Sequence, residues 1–220
     1  MSWLLPHGQG RPGLLGRYRW GYLLAVLLAT FLLEPLLGSG KGVSLMGLCL
    51  YLTVFAGMIR LAHLSRTVEL VSYTIIGIWF VVSLVQHFND STLNERIQLA
   101  FSVALSLGAL IVTFTELMRP DVLTVDKLFG AICGYFLIAV TLALLYYQIE
   151  VLTPGSFNLP PGEMDVSEFL YFSLVTVTTL GYGDITPVSK IARILAGLEA
   201  ALGTLYIAIL IGQIVGSIKR

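Results

Sequence analysis

The sequence predicts an all-α membrane protein. Four transmembrane helices form a bundle, and two further helices flank a short re-entrant helix and a glycine-rich loop. Three observations carry this reading. Of the 220 residues, 56% are hydrophobic and only 12% charged, with a mean hydropathy of +0.86; soluble domains carry about 25% charged residues. Six apolar stretches near the length needed to cross a bilayer are separated by short polar links. Between the last two lies Thr178-Thr179-Leu180-Gly181-Tyr182-Gly183-Asp184, too polar and too rich in glycine to belong to either.

Residues 1–20 read as a cytoplasmic N-terminal tail, with Arg11, Arg17 and Arg19 close to the first apolar run and Trp20 and Tyr22 at the headgroup level. The first segment runs from Tyr22 to Leu37. The basic residues before it and Gly38-Ser39-Gly40 after it also fit a secretory signal peptide, whose cleavage would leave the remaining topology unchanged. The second segment runs from Val43 to Ile59, the third from Val68 to Gln86 and the fourth from Ile97 to Met118, stopped by Arg119-Pro120. Residues 21–120 thus form the four-helix unit. The second unit, 127–220, holds a fifth segment from Leu128 to Ile149, an irregular proline-containing stretch, and a last long helix from Ser189 to Ile218.

Charge placement orients the layout. With the N-terminus inside, Arg11, Arg17, Arg19, Arg60, Arg66, Arg119, Lys127, Lys219 and Arg220 are cytoplasmic, while Lys41, Arg96, Lys190 and Arg193 are external. This asymmetry is the sense of the positive-inside rule, and six crossings put both termini in the cytoplasm of a multi-pass cell-membrane protein. The zero formal charge excludes bulk attraction to nucleic acid. Cys49 and Cys133 fall inside apolar runs and read as small core residues. His7, His63 and His87 show no metal-ligand spacing, and no nucleophile–base set or phosphate-binding loop is present. Neither an enzyme nor a cofactor is expected.

Between the last two segments, Asp165-Val166-Ser167-Glu168 marks a helix start, with Asp165 as N-cap. This helix is expected to run to about Thr178, its negative dipole end pointing into the membrane. The acidic residues Glu163, Asp165 and Glu168 read either as a cation-concentrating mouth or as a solvated, capped helix start. After it, two glycines alternating with an aromatic favour extended backbone in conformations that a Cβ disfavours. Such backbone is tolerated at membrane depth where it lines a path rather than lipid.

Thr179-Leu180-Gly181-Tyr182-Gly183 resembles the Thr-x-Gly-Tyr-Gly selectivity filter of the potassium-channel family, with Leu180 where that family commonly has Val. The resemblance implies that carbonyls of Thr179, Leu180, Gly181 and Tyr182, with the Thr179 hydroxyl, replace the hydration shell of K⁺. It implies that Gly183 lets the chain turn out, and that Thr178, Asp184 and the aromatic pair Tyr171 and Phe172 support the filter. Tyr171 is expected to hydrogen-bond Asp184. Gly203 stands where the family often has a hinge glycine, and reads equally as a packing glycine. Gly212 and Gly216 form a small-xxx-small pair suited to a gate. A column of carbonyl rings needs four such loops and this chain supplies one, so the partners implied are three further copies in a homotetramer, with lipid around them.

The first four segments then occupy the place of a voltage sensor. Steep voltage dependence takes about three to four gating charges per subunit, and Ile97 to Met118 contains no Arg or Lys. Weak or absent voltage gating is expected, with a cytoplasmic regulator among the compatible stimuli. The sequence ends just past the last helix, and no ligand-binding domain is expected. Glu199 is the one ionisable residue well inside that helix. It reads either as a functional carboxyl or as a neutral, hydrogen-bonded strut behind the re-entrant helix. A weakly selective cation channel and a non-conducting regulatory subunit stand as the alternatives.

Overall fold

The computed structural model describes residues 18–37, 41–61, 66–88, 92–118, 124–160 and 165–218. The expectations for residues 1–17, Gly38-Ser39-Gly40, His63, Arg119-Pro120, Glu163, Lys219 and Arg220 lie outside them. The chain is an all-α membrane protein: α1 (Arg19–Leu37), α2 (Lys41–Leu61), α3 (Arg66–Phe88), α4 (Thr92–Leu117), α5 (Val125–Leu152), α6 (Val166–Val177) and α7 (Lys190–Ile218). By length and hydropathy Arg66–Gln86, Arg96–Leu117, Val125–Leu152 and Lys190–Gly216 are long enough to cross a membrane, and Arg19–Leu32 and Leu45–Arg60 are shorter apolar helices among the described residues. It is a multi-pass arrangement. Helix α4 starts five residues before the apolar run because hydropathy marks where lipid begins, while polar residues at the surface continue the same helix.

Helix α5 is the spine. It contacts α1, α4, α6 and α7, and one cluster of buried side chains joins Leu27, Val54, Met58 and Trp79 of the bundle to Cys133, Leu137 and Val140 of α5. Several threonine hydroxyls within the spans return to their own helix, as Thr113 to the Ala109 carbonyl (2.8 Å) and Thr141 to Leu137 (2.7 Å), which satisfies them where water is absent.

Polar contacts also join the bundle to α5. The N–H groups of Trp20 and Gly21, among those a helix start leaves without an acceptor, donate to Asp126 Oδ1 at 2.9 and 3.3 Å. The hydroxyls of Ser106 and Thr141 meet at 2.7 Å. Trp20, expected at the headgroup level, is buried; a Cβ on Gly130 would lie 2.9 Å from its indole, so the missing side chain makes room for it. Cys133 is buried and Cys49, expected in a core, is exposed on α2.

The proline-containing stretch after α5 is ordered by pairing. Glu150 accepts from the N–H groups of Gly155 (2.7 Å) and Phe157 (3.0 Å), closing a turn through Gly155 at φ 84°. A two-residue strand, β1 (Phe157–Asn158), pairs antiparallel with β2 (Thr186–Pro187) beyond the loop. The link before α6 and the segment after the glycine-rich loop are therefore one structure.

Candidate functional site

The site begins at α6. Asp165 caps it, accepting from the N–H groups of Ser167 (2.8 Å) and Glu168 (3.2 Å). The helix ends at Val177 with Thr178 as C-cap, whose hydroxyl folds back to Leu174 O at 2.7 Å. Beyond it φ is positive at alternate residues: Thr179 (59°), Gly181 (59°) and Gly183 (81°). Two of the three lack a Cβ, so only Thr179 bears the left-handed cost, about 1–2 kcal/mol.

The direction of the backbone groups follows from their partners. Thr179 N–H donates to Thr176 O (2.9 Å), and the N–H groups of Leu180 and Gly181 both donate to Val175 O (2.9 and 3.2 Å). In a planar trans peptide the preceding carbonyl points opposite to the N–H, and no cis bond occurs among the described residues. The carbonyls of Thr178, Thr179 and Leu180 therefore point away from α6. The side chains of Leu180 and Tyr182 are 55% and 67% exposed.

The aromatic pair divides its work. Tyr171 is partly exposed and donates its hydroxyl to Asp184 Oδ2 at 2.6 Å. That bond, with backbone N–H groups, holds the Asp184 carboxyl below its ordinary value. Phe172 is buried and meets Tyr146 and Phe157 edge-on, with ring centroids 5.2 and 5.5 Å apart. It secures α6 to α5 and β1 and does not reach Asp184.

Behind the loop, α7 touches α6 closely. A Cβ on Gly203 would lie 2.1 Å from the Val177 carbonyl oxygen, which also accepts from the Tyr135 hydroxyl at 3.0 Å. At Gly212 and Gly216 a Cβ would meet nothing within 4 Å, so this pair makes no close approach among the described residues. Tyr206 reaches the Ala131 carbonyl at 2.5 Å, tying α7 to α5 nearer its end. Sequence reasoning missed Tyr135, Tyr146, Ser173, Tyr206 and Glu150. Their signal is faint but real: each is a polar group inside or at the end of an apolar run, where an acceptor or donor must be found.

A family model described as ion channel matches residues 128–220. Residues 128–220 resemble an ion-channel domain. A relative, the potassium voltage-gated channel protein shk-1 of Caenorhabditis elegans, is 40% identical over 50 residues, which is 23% of this chain and 9% of that protein. No solved structure matches. The matched segment contains α5 from its first turns, α6, the loop and α7, the elements that build the site.

Proposed function

We propose that the chain is a subunit of a potassium-selective channel, a homotetramer of six-crossing subunits with both termini cytoplasmic. The observation that carries this reading is the row of carbonyls at Thr178, Thr179 and Leu180 turned away from α6 by the N–H bonds to Val175 and Thr176. Continued through Gly181 and Tyr182 by the same alternation of φ, it offers oxygen ligands to a dehydrated cation. One chain supplies one wall of such a site. The exposed Leu180 and Tyr182 and the exposed isoleucines and leucines of α7 are then the faces that meet neighbouring copies.

In this reading K⁺ sheds its water at the carbonyls of Thr179, Leu180, Gly181 and Tyr182 and moves on by repulsion from the next ion. The loop turns out at Gly183, and Thr178, Tyr171, Phe172 and Asp184 hold it. Gly203 seats α6 or acts as a hinge, and Gly212 and Gly216 form the bundle crossing. No basic residue lies within Ile97 to Met118, so opening responds to a stimulus other than voltage, a cytoplasmic partner among them.

The test is K⁺ flux from liposomes holding the purified protein, with and without Ba²⁺, beside Gly181→Ala. The expected result is Ba²⁺-blocked flux that the substitution abolishes and that excludes Na⁺. Flux carried equally by Na⁺ would replace this reading with a weakly selective channel. Folded tetramers that pass nothing would favour a regulatory subunit.

A further inference from the structure

Glu199 lies in the first half of α7 and is fully buried. Its two oxygens meet two hydroxyls on two other helices. Tyr146 of α5 donates to Oε2 at 2.7 Å, and Ser173 of α6 is hydrogen-bonded to Oε1. The Ser173 hydroxyl also lies 2.8 Å from the Ala139 carbonyl of α5. Tyr146 and Ser173 are themselves fully buried, and both partners are neutral.

Counting hydrogens decides the state of the carboxyl. A serine hydroxyl has one hydrogen, and a carbonyl oxygen can only accept. If Glu199 were ionised, Ser173 would face two acceptors with a single hydrogen, leaving one close oxygen pair with none. If Glu199 carries a proton, every contact is filled. Glu199 donates to Ser173, Ser173 to Ala139 and Tyr146 to Glu199. The neutral form also avoids placing an unpaired charge in a buried site.

The position of this group matters as much as its charge. Ser173 and Val177 are one turn apart on α6, and Glu199 and Gly203 are one turn apart on α7. Residues four apart share a helix face, so Glu199 on Ser173 and Gly203 on Val177 are two contacts between the same two faces. Two contacts fix both the rotation and the axial register of α6 against α7. The carbonyls of Val175 and Thr176, which orient the loop, lie between them.

We propose that Glu199 is a positioning residue that works as a neutral carboxylic acid, setting the register of α6 and through it the carbonyl row. Its effect on conduction rests on the channel reading; its proton does not.

Two measurements on the full-length protein in lipid test the two parts. The infrared spectrum of the wild type minus that of Glu199→Gln should show a protonated-carboxyl stretch that shifts in D₂O. A difference in the carboxylate bands instead would overturn the neutral form. In flux, Glu199→Gln, whose amide donates to Ser173 and accepts from Tyr146, should keep K⁺ flux and its preference over Na⁺. Glu199→Ala should lower flux roughly tenfold or more, as expected when buried partners are left unfilled. Equal loss in Gln and Ala would show that charge, not register, is what Glu199 supplies. If the wild type passes no ions, the channel reading fails while the infrared result still decides the proton. Thermal dissociation of the oligomer, with Gln near wild type and Ala well below it, then decides the register.

Discussion

The four-helix bundle and the segment from α5 to α7 solve the same problem differently. In the bundle, helices meet chiefly through apolar contacts such as Phe55 against Trp79, with ring centroids 5.6 Å apart. A polar bond between its helices runs from the Trp79 indole to Ser102 at 2.8 Å, while Thr53 and Thr74 bond only their own backbone. From α5 to α7, side chains reach across helices repeatedly: Tyr135 to Val177, Tyr146 and Ser173 to Glu199, and Tyr206 to Ala131. Lipid is as apolar as leucine, so burying leucine does little to hold one membrane helix at a set position against another. Hydrogen bonds and glycine contacts do. The second region is therefore held by more cross-helix side-chain bonds, while the bundle is held on α5 mainly by its shared apolar core.

The sharpest way to break that contrast is at glycine. Under the channel reading, Gly203→Val should abolish both flux and the assembled oligomer, because the added Cβ would run into the Val177 carbonyl oxygen, a backbone atom that cannot step aside. An intact conducting oligomer, seen by size exclusion and flux, would mean α6 is not seated on α7.

Next in size is Tyr146→Phe, which leaves Glu199 short of a donor at the same volume. The expected loss is about 1–3 kcal/mol, read as a lower thermal midpoint. Ser102→Ala, the matching change in the bundle, should cost about 0.6 kcal/mol. Equal losses at the two sites would erase the difference between the regions.

The pH response should be smaller still and confined to acid. The folded state holds the Asp184 carboxyl below its ordinary 3.8. Its contribution is complete above that value and is lost as pH falls through the lower folded one. Lowering the pH from about 7 to 5 should therefore leave the loop around Asp184 unchanged. Decay of K⁺ flux should begin only in stronger acid and nearer the ordinary carboxylate range in Tyr171→Phe. A wild-type midpoint well above the ordinary 3.8 would remove the Tyr171–Asp184 bond from the loop's stability.

Opposite in sign to the losses above, Gly77→Ala and Gly108→Ala in the bundle add a methyl that meets nothing within 4 Å. Each should be neutral or add up to about 1 kcal/mol of helix stability, which thermal unfolding can read.

By itself the sequence determined the features that depend on neighbours along the chain. Apolar length located the helices, Asp165 announced the start of α6, and the alternation of Gly181 and Gly183 announced a backbone that needs left-handed conformations. These are local properties, set within a few residues by solvation and sterics. Only the tertiary structure decided which of Tyr171 and Phe172 reaches Asp184, that β1 pairs with β2, and that Glu199 finds Tyr146 and Ser173, 53 and 26 residues away. Those outcomes depend on how α5, α6 and α7 are rotated about their axes. With hydropathy as uniform as that of α7, no apolar stripe in the sequence specifies the rotation; Gly203 on Val177 and the contacts of Glu199 with Tyr146 and Ser173 do.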